Sequence, residues 1–218
     1  MPLAGEPVRI ADLGAGTGAV GFAVASRVSS AAVTMIERDD RSCADIERSL
    51  ALAENAHLRD RLHAVKADLT EVSAAHLPVP DGNGYDWVLA NPPFNARSSH
   101  RTSPDARRAG AHAMDDDLLD GWLRAALRLL GPRGRVAMIL RPESLPSLLG
   151  SWSDRLGGPN VLPVYTGDGG ARRILVGGVR GSRAPTALLP PLHVRHAGGV
   201  TKAAAAIADG ERGLQLVP

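Results

Sequence analysis

The chain has 218 residues, enough for one domain with a full core, and its single cysteine, Cys43, excludes an internal disulfide framework and any multi-cysteine zinc site. Apolar residues at 44% with 22% charged describe a globular chain. No apolar run nears the roughly 20 residues that cross a bilayer, and no basic-then-apolar leader opens the sequence, so a soluble, cytoplasmic protein without a membrane partner is expected. The net charge of +2 hides an asymmetry. Residues 169–208 carry Arg172, Arg173, Arg180, Arg183, Arg195 and Lys202 and no acid; with 25 basic and 23 acidic residues in all, the rest of the chain stands at −4.

Residues 8–13 are a short apolar run closed by glycines, and 19–28 follow with helix formers and a helical stripe, which predicts strand, turn and helix. A second β-branched run covers 32–36, and 41–56 reads as a second helix with Ile46, Leu50 and Ala53 on one face. Strands three and four fall at 62–66 and 85–90. Residues 115–130 form an amphipathic helix ended by Gly131 and Pro132, and 135–140 is strand five. A shorter helix at 144–152 and closing strands at 161–165 and 173–179 follow, with no internal repeat. Strands alternating with helices at this spacing imply an α/β fold: a doubly wound, mostly parallel sheet in a single domain over 1–218. Two stretches read as irregular, a basic loop at 95–112 just beyond strand four and a Pro-punctuated tail at 181–218.

The string Asp12-Leu13-Gly14-Ala15-Gly16-Thr17-Gly18 sits where strand one meets helix one, so backbone can approach a ligand closely and the helix N-terminus directs its amides at it. It also satisfies the permissive dinucleotide fingerprint, and Glu37, ending strand two, could bind ribose hydroxyls in either case. Asp12 tilts the choice, because a carboxylate there would repel a pyrophosphate but suit the cationic groups of S-adenosylmethionine. Asp68 closes strand three at the same edge; it can accept from an adenine amino group or serve as an N-cap for residues from 70 onward. Asn91-Pro92-Pro93-Phe94 follows strand four directly. On its own it is a turn initiator. At the carboxyl edge, across from the glycines, the Asn91 side-chain oxygen and the Pro92 carbonyl can each accept one N–H of an exocyclic amine, and Phe94 can stack on a planar group.

Through residues 12–18, Glu37, Asp68 and Asn91 to Phe94 the chain resembles the S-adenosylmethionine-dependent amino-methyltransferases. The resemblance implies a Rossmann-like sheet whose seventh strand is antiparallel. Within that group the chain is most similar to the bacterial family that methylates, at N6, the adenosine beside the anticodon of a valine tRNA. Residues 130–135, 180–185 and 188–192 add to the likeness, which covers about 8–216. By carry-over Asp12, Gly14, Gly16, Glu37 and Asp68 bind the cofactor S-adenosylmethionine, while Asn91, Pro92 and Phe94 hold the target base. Arg97, Arg101, Arg107 and Arg108 of the loop, with Arg180 and Arg183 of the tail, are expected to flank the base pocket and hold phosphates of the partner RNA. Family members carry several dozen residues ahead of the first strand, including a segment over the methyl donor, whereas seven precede Val8 here. A later-assigned start, a partner that completes the pocket, or weaker donor binding is expected in consequence.

Other constellations lead elsewhere. Asp115, Asp116 and Asp117 read as the acidic first turn of a helix rather than a metal site; His193 and His196 as a surface pair; Ser98, Ser99 and His100 lack a third member for a nucleophilic triad; and Cys43 is a small core residue. Two further functions stay open, methylation of a protein glutamine amide and an RNA-binding module without donor binding. A nicotinamide oxidoreductase has no hydride-transfer acid/base site in its favour.

Overall fold

The computed structural model describes residues 7–69, 83–93, 104–152 and 154–217. β1 (Val8–Leu13), the glycine turn, α1 (Ala19–Arg27) and β2 (Ala31–Glu37) open the chain, and α2 (Asp40–Ala51) begins on Asp39, whose side chain accepts the Ser42 amide. A 3₁₀ stretch, Ala53–Arg61, leads to β3 (Leu62–Lys66) and, further on, β4 (Tyr85–Ala90). The helix α3 (Pro104–Leu129) runs straight into β5 (Leu130–Leu140), followed by α4 (Leu145–Ser151), β6 (Asn160–Tyr165) and β7 (Arg173–Val179).

The strands lie in the order β3-β2-β1-β4-β5-β7-β6. Every neighbouring pair is parallel except those made by β7, which runs antiparallel to both β5 and β6. This is the doubly wound α/β sheet expected from the alternation, with the antiparallel seventh strand that the resemblance implied. Alternation along β1 splits the core: Ala11 and Leu13 face Trp122, Leu123 and Ala126 of α3, whereas Ile10 joins Met35, Ala25 and Ile46 under α1 and α2. The order reverses between β1 and β4, so the helices leave in opposite directions and open a crevice at the carboxyl edge. At the opposite end Arg9 ties these two strands together, its main-chain amide donating to Asp86 at 2.8 Å.

Three expectations change. Pro104, suited to a first helical turn, starts α3 well before residue 115, so 104–112 is helical rather than loop, and Asp115 to Asp117 lie inside a long helix instead of at its positive end. Gly131 and Pro132 belong to the first, irregular part of β5, where the register against β4 shifts. The tail is more ordered than its prolines suggest. β8 (Ala187–Leu188) and β9 (Leu192–His193) pair with β6 and cover that sheet edge, the hairpin β10 (Arg195–His196) and β11 (Gly199–Val200) follows, and α5 (Lys202–Ala208) starts on Thr201, whose hydroxyl accepts the Ala204 amide. Leu216 returns to pack on Leu162 and Val164. Among the described residues no helix is long and apolar enough to cross a membrane.

Candidate active site

Gly14 and Gly16 carry the chain off β1 at φ of 61° and 57°, a region that costs an L side chain about 1–2 kcal/mol. Gly14 has a second reason to lack a side chain, because a Cβ there would stand 2.3 Å from the Trp122 ring. The turn is held from both sides by carboxylates. Glu37 accepts the Gly16 amide at 2.8 Å with one oxygen and the Arg38 and Asp39 amides at 2.7 and 2.9 Å with the other. Asp12, only 2% exposed, accepts the Gly21 amide of α1 at 3.1 Å. Burial pushes the Asp12 carboxyl up from 3.8 to about 6; the Gly21 amide opposes that rise and the like charge of Glu37 adds to it.

Parallel strands deliver their carboxyl ends to one edge, and four of those ends converge on a cavity of about 370 Å³, within the range of roughly 300–1,000 Å³ for small-molecule sites. Gly14 comes from β1, Glu37 and Arg38 from β2, Asp68 from beyond β3, and Asn91 with Pro93 from beyond β4. Asp117, Leu118, Gly121 and Trp122 of α3 form the remaining wall. Arg38 Nη1 lies 3.5 Å from Asp68 Oδ2, a contact between two exposed groups that orients the carboxylate more than it stabilises the fold.

The residues taken from sequence divide. Gly14, Glu37, Asp68 and Asn91 meet at this cavity. Asp12 is not among its lining residues and braces α1 from behind; Pro92 is buried between the exposed Asn91 and Pro93. Arg180 and Arg183 are not brought to it. Because β7 is antiparallel, with Val179 opposite Arg135, the chain after it emerges at the amino edge, where the Arg180 guanidinium bonds the Leu130 carbonyl. Phe94, Arg97 and Arg101, together with Ser98, Ser99 and His100, lie outside the described residues, and Arg107 and Arg108 fall in the first turns of α3. Cys43 is half-buried, its thiol donating to the Glu37 carbonyl at 3.5 Å. Sequence reasoning missed Trp122 and Arg38. Positions 117, 118, 121 and 122 share a helical face, a signal visible in the sequence, yet nothing local says that this face meets Gly14.

The methyltransferase small domain family matches residues 3–143, and the chain belongs to that family. Among curated relatives, the tRNA1(Val) (adenine(37)-N6)-methyltransferase of Shewanella halifaxensis is 30% identical over 77% of this chain and 65% of its own length. That of Parabacteroides distasonis is 32% identical over 65% and 55%. The chain thus spans between about half and just under two thirds of these relatives. Among solved structures, a predicted O-methyltransferase from Agrobacterium tumefaciens is 29% identical with a TM-score of 0.77, covering 95% of this chain and 91% of that one. TrmN from Thermus thermophilus, at 20% identity and a TM-score of 0.56 over 81% and 45%, shares the fold.

Two outcomes follow for the turn. Gly14→Ala combines left-handed strain with a collision against a buried ring and should cost about 2–4 kcal/mol, read by denaturant unfolding; an unchanged midpoint contradicts the Trp122 contact. Asp12→Asn keeps an acceptor for Gly21 without the buried charge. Since the folded state raises the carboxyl pKa, the wild type binds more protons folded than unfolded between about pH 4 and 6 and loses stability as pH rises through that window, by up to about 3 kcal/mol. The variant should therefore melt higher than wild type at pH 7.5, with the gap closing below pH 5. A variant that melts lower at pH 7.5 contradicts this.

Proposed function

We propose that the chain is an S-adenosylmethionine-dependent methyltransferase acting on an exocyclic amine of a nucleobase in RNA, with N6 of adenine in tRNA as the target. The observation that carries the reading is that Asn91, at the end of β4, shares one cavity with Gly14, Glu37 and Asp68. The residues present suit the cofactor: a carboxylate at the end of β2 for ribose hydroxyls, a second beyond β3 for an adenine amino group, and glycine backbone open to close approach. When bound, S-adenosylmethionine supplies an electrophilic methyl group. The chain's own work is positioning. An exocyclic amine has a delocalised lone pair, so a strong base helps less than holding its N–H bonds; the Asn91 oxygen and the Pro92 carbonyl do that, and Pro92 and Pro93 stiffen the clamp. Phe94 is assigned to stack on the base, and Asp12 to hold the glycine turn and helix that face the donor.

The names of the curated relatives support adenine N6 in tRNA as target, and the basic character of the chain's end supports a polyanion. A tRNA substrate goes with a cytoplasmic location. The test is methyl transfer from S-adenosylmethionine to unmodified total tRNA with product nucleosides identified by mass spectrometry. Wild type should yield N6-methyladenosine, and Asn91→Ala should be slower by about 100-fold or more. Labelled protein acceptors that survive ribonuclease, without a methylated nucleoside, contradict RNA as the substrate and favour a glutamine amide. Unimpaired turnover by Asn91→Ala removes that residue from the mechanism.

A further inference from the structure

Three rings of the tail and the strand beside it stack where no core demands it. Tyr165, the last residue of β6, lies against His193 with centroids 4.9 Å apart and planes inclined by 19°, and His193 lies 5.2 Å from His196 at 34°. The ladder is built by backbone. β9 runs parallel to β6 with His193 opposite Tyr165, the Val194 amide donates to the Tyr165 carbonyl at 2.7 Å, and the Thr201 hydroxyl donates to the His193 carbonyl at 2.5 Å. The β10–β11 hairpin, with His196 opposite Gly199, then sets the third ring. Both histidines are exposed and Tyr165 is half-buried. Beside them opens a cavity of about 710 Å³ lined by His193, His196, Pro191, Arg212 and Leu214.

Position and charge give this ladder a use. Tyr165 and Arg173 sit at the carboxyl edge, since β6 and β7 pair with Val164 opposite Arg173. The ladder is thus on the same edge as the end of β4, with Tyr165 three strand spacings across the sheet, about 15 Å, and His193 of β9 one spacing further. Arg172, in the β6–β7 loop, and Arg195, between the two histidines, are exposed, with Asp168 the acid of that loop. Of the six basic charges of 169–208, Arg180 and Arg183 lie at the amino edge, Arg172, Arg173 and Arg195 at the edge that carries the rings, and Lys202 at the start of α5.

Ring faces with nearby guanidinium groups are what single-stranded nucleic acid requires, because every base offers a π-face and every linkage a phosphate. We propose that Tyr165, His193 and His196, with Arg172 and Arg195, form a second nucleotide subsite that stacks an unpaired base of the substrate RNA and adds to its affinity while the target base is held at Asn91. This rests on the reading of the substrate as RNA.

The test is binding of a fluorescein-labelled single-stranded oligouridylate, followed by anisotropy, alongside steady-state methylation of tRNA. His193→Ala and Tyr165→Leu should each weaken oligouridylate binding about ten-fold, whereas His193→Phe and Tyr165→Phe, which keep a ring, should stay within about two-fold of wild type. In tRNA methylation the loss should appear in KM with kcat retained, and all four variants should keep the rise in melting temperature caused by S-adenosylhomocysteine. Equal binding by wild type and the ring-deleted variants overturns the subsite while leaving RNA methylation standing, as does a wild type that methylates tRNA but does not hold oligouridylate. A wild type that binds neither RNA and labels protein instead overturns the substrate reading, and the subsite falls with it.

Discussion

The turn between β1 and α1 is the constraint on which the rest of the site depends. It takes glycine at three left-handed positions, Gly14, Gly16 and Gly18, and its shape is imposed by carboxylates that accept from backbone amides: Glu37 from Gly16, Asp12 from Gly21. The bonds from Glu37 are charge-assisted and worth more than neutral ones, whereas burial makes the Asp12 charge itself costly, so Asp12 serves the turn as a buried acceptor for Gly21. Trp122 then uses the missing Gly14 side chain as its seat, so the position of α3, which forms one wall of the cavity, is tied to the same turn. A change at the turn is felt at the cavity and in the helix packing together.

Much of this was legible in the sequence because the informative residues stand at strand ends. In a parallel sheet, placing a residue at a carboxyl end also places it at the ligand edge, so Gly14, Glu37, Asp68 and Asn91 could be brought together from strand assignments alone. The direction of the seventh strand came from the resemblance and not from the residue pattern. β7 offers the same apolar pattern whichever way it runs, and its antiparallel course moves Arg180 and Arg183 away from the site that a simple reading of the basic tail would give them. Trp122 was illegible for another reason: an amphipathic helix reveals that it buries a face, and only the packed structure reveals against what. The start of α3 followed local chemistry that composition masked, since an Arg-rich stretch opened by Pro104 suits a helix as well as a loop.

The tail shows how one segment serves fold and site at once. By pairing β8 and β9 along β6 it covers a sheet edge that would otherwise present free backbone groups, and Asn160 fixes the far end by donating to the Leu216 carbonyl at 2.9 Å. That same pairing brings His193 beside Tyr165. Edge protection and ring stacking are consequences of one register.

In the proposed reading the cavity at the reversal of strand order is the donor site, and Asn91 faces it without holding the donor. Calorimetric titration with S-adenosylhomocysteine tests this most directly. Wild type and Asn91→Ala should bind with closely similar affinity, and Glu37→Ala, which removes both the proposed ribose acceptor and the brace on Gly16, should bind at least about ten-fold more weakly. Undiminished binding by Glu37→Ala, or a loss confined to Asn91→Ala, would contradict it.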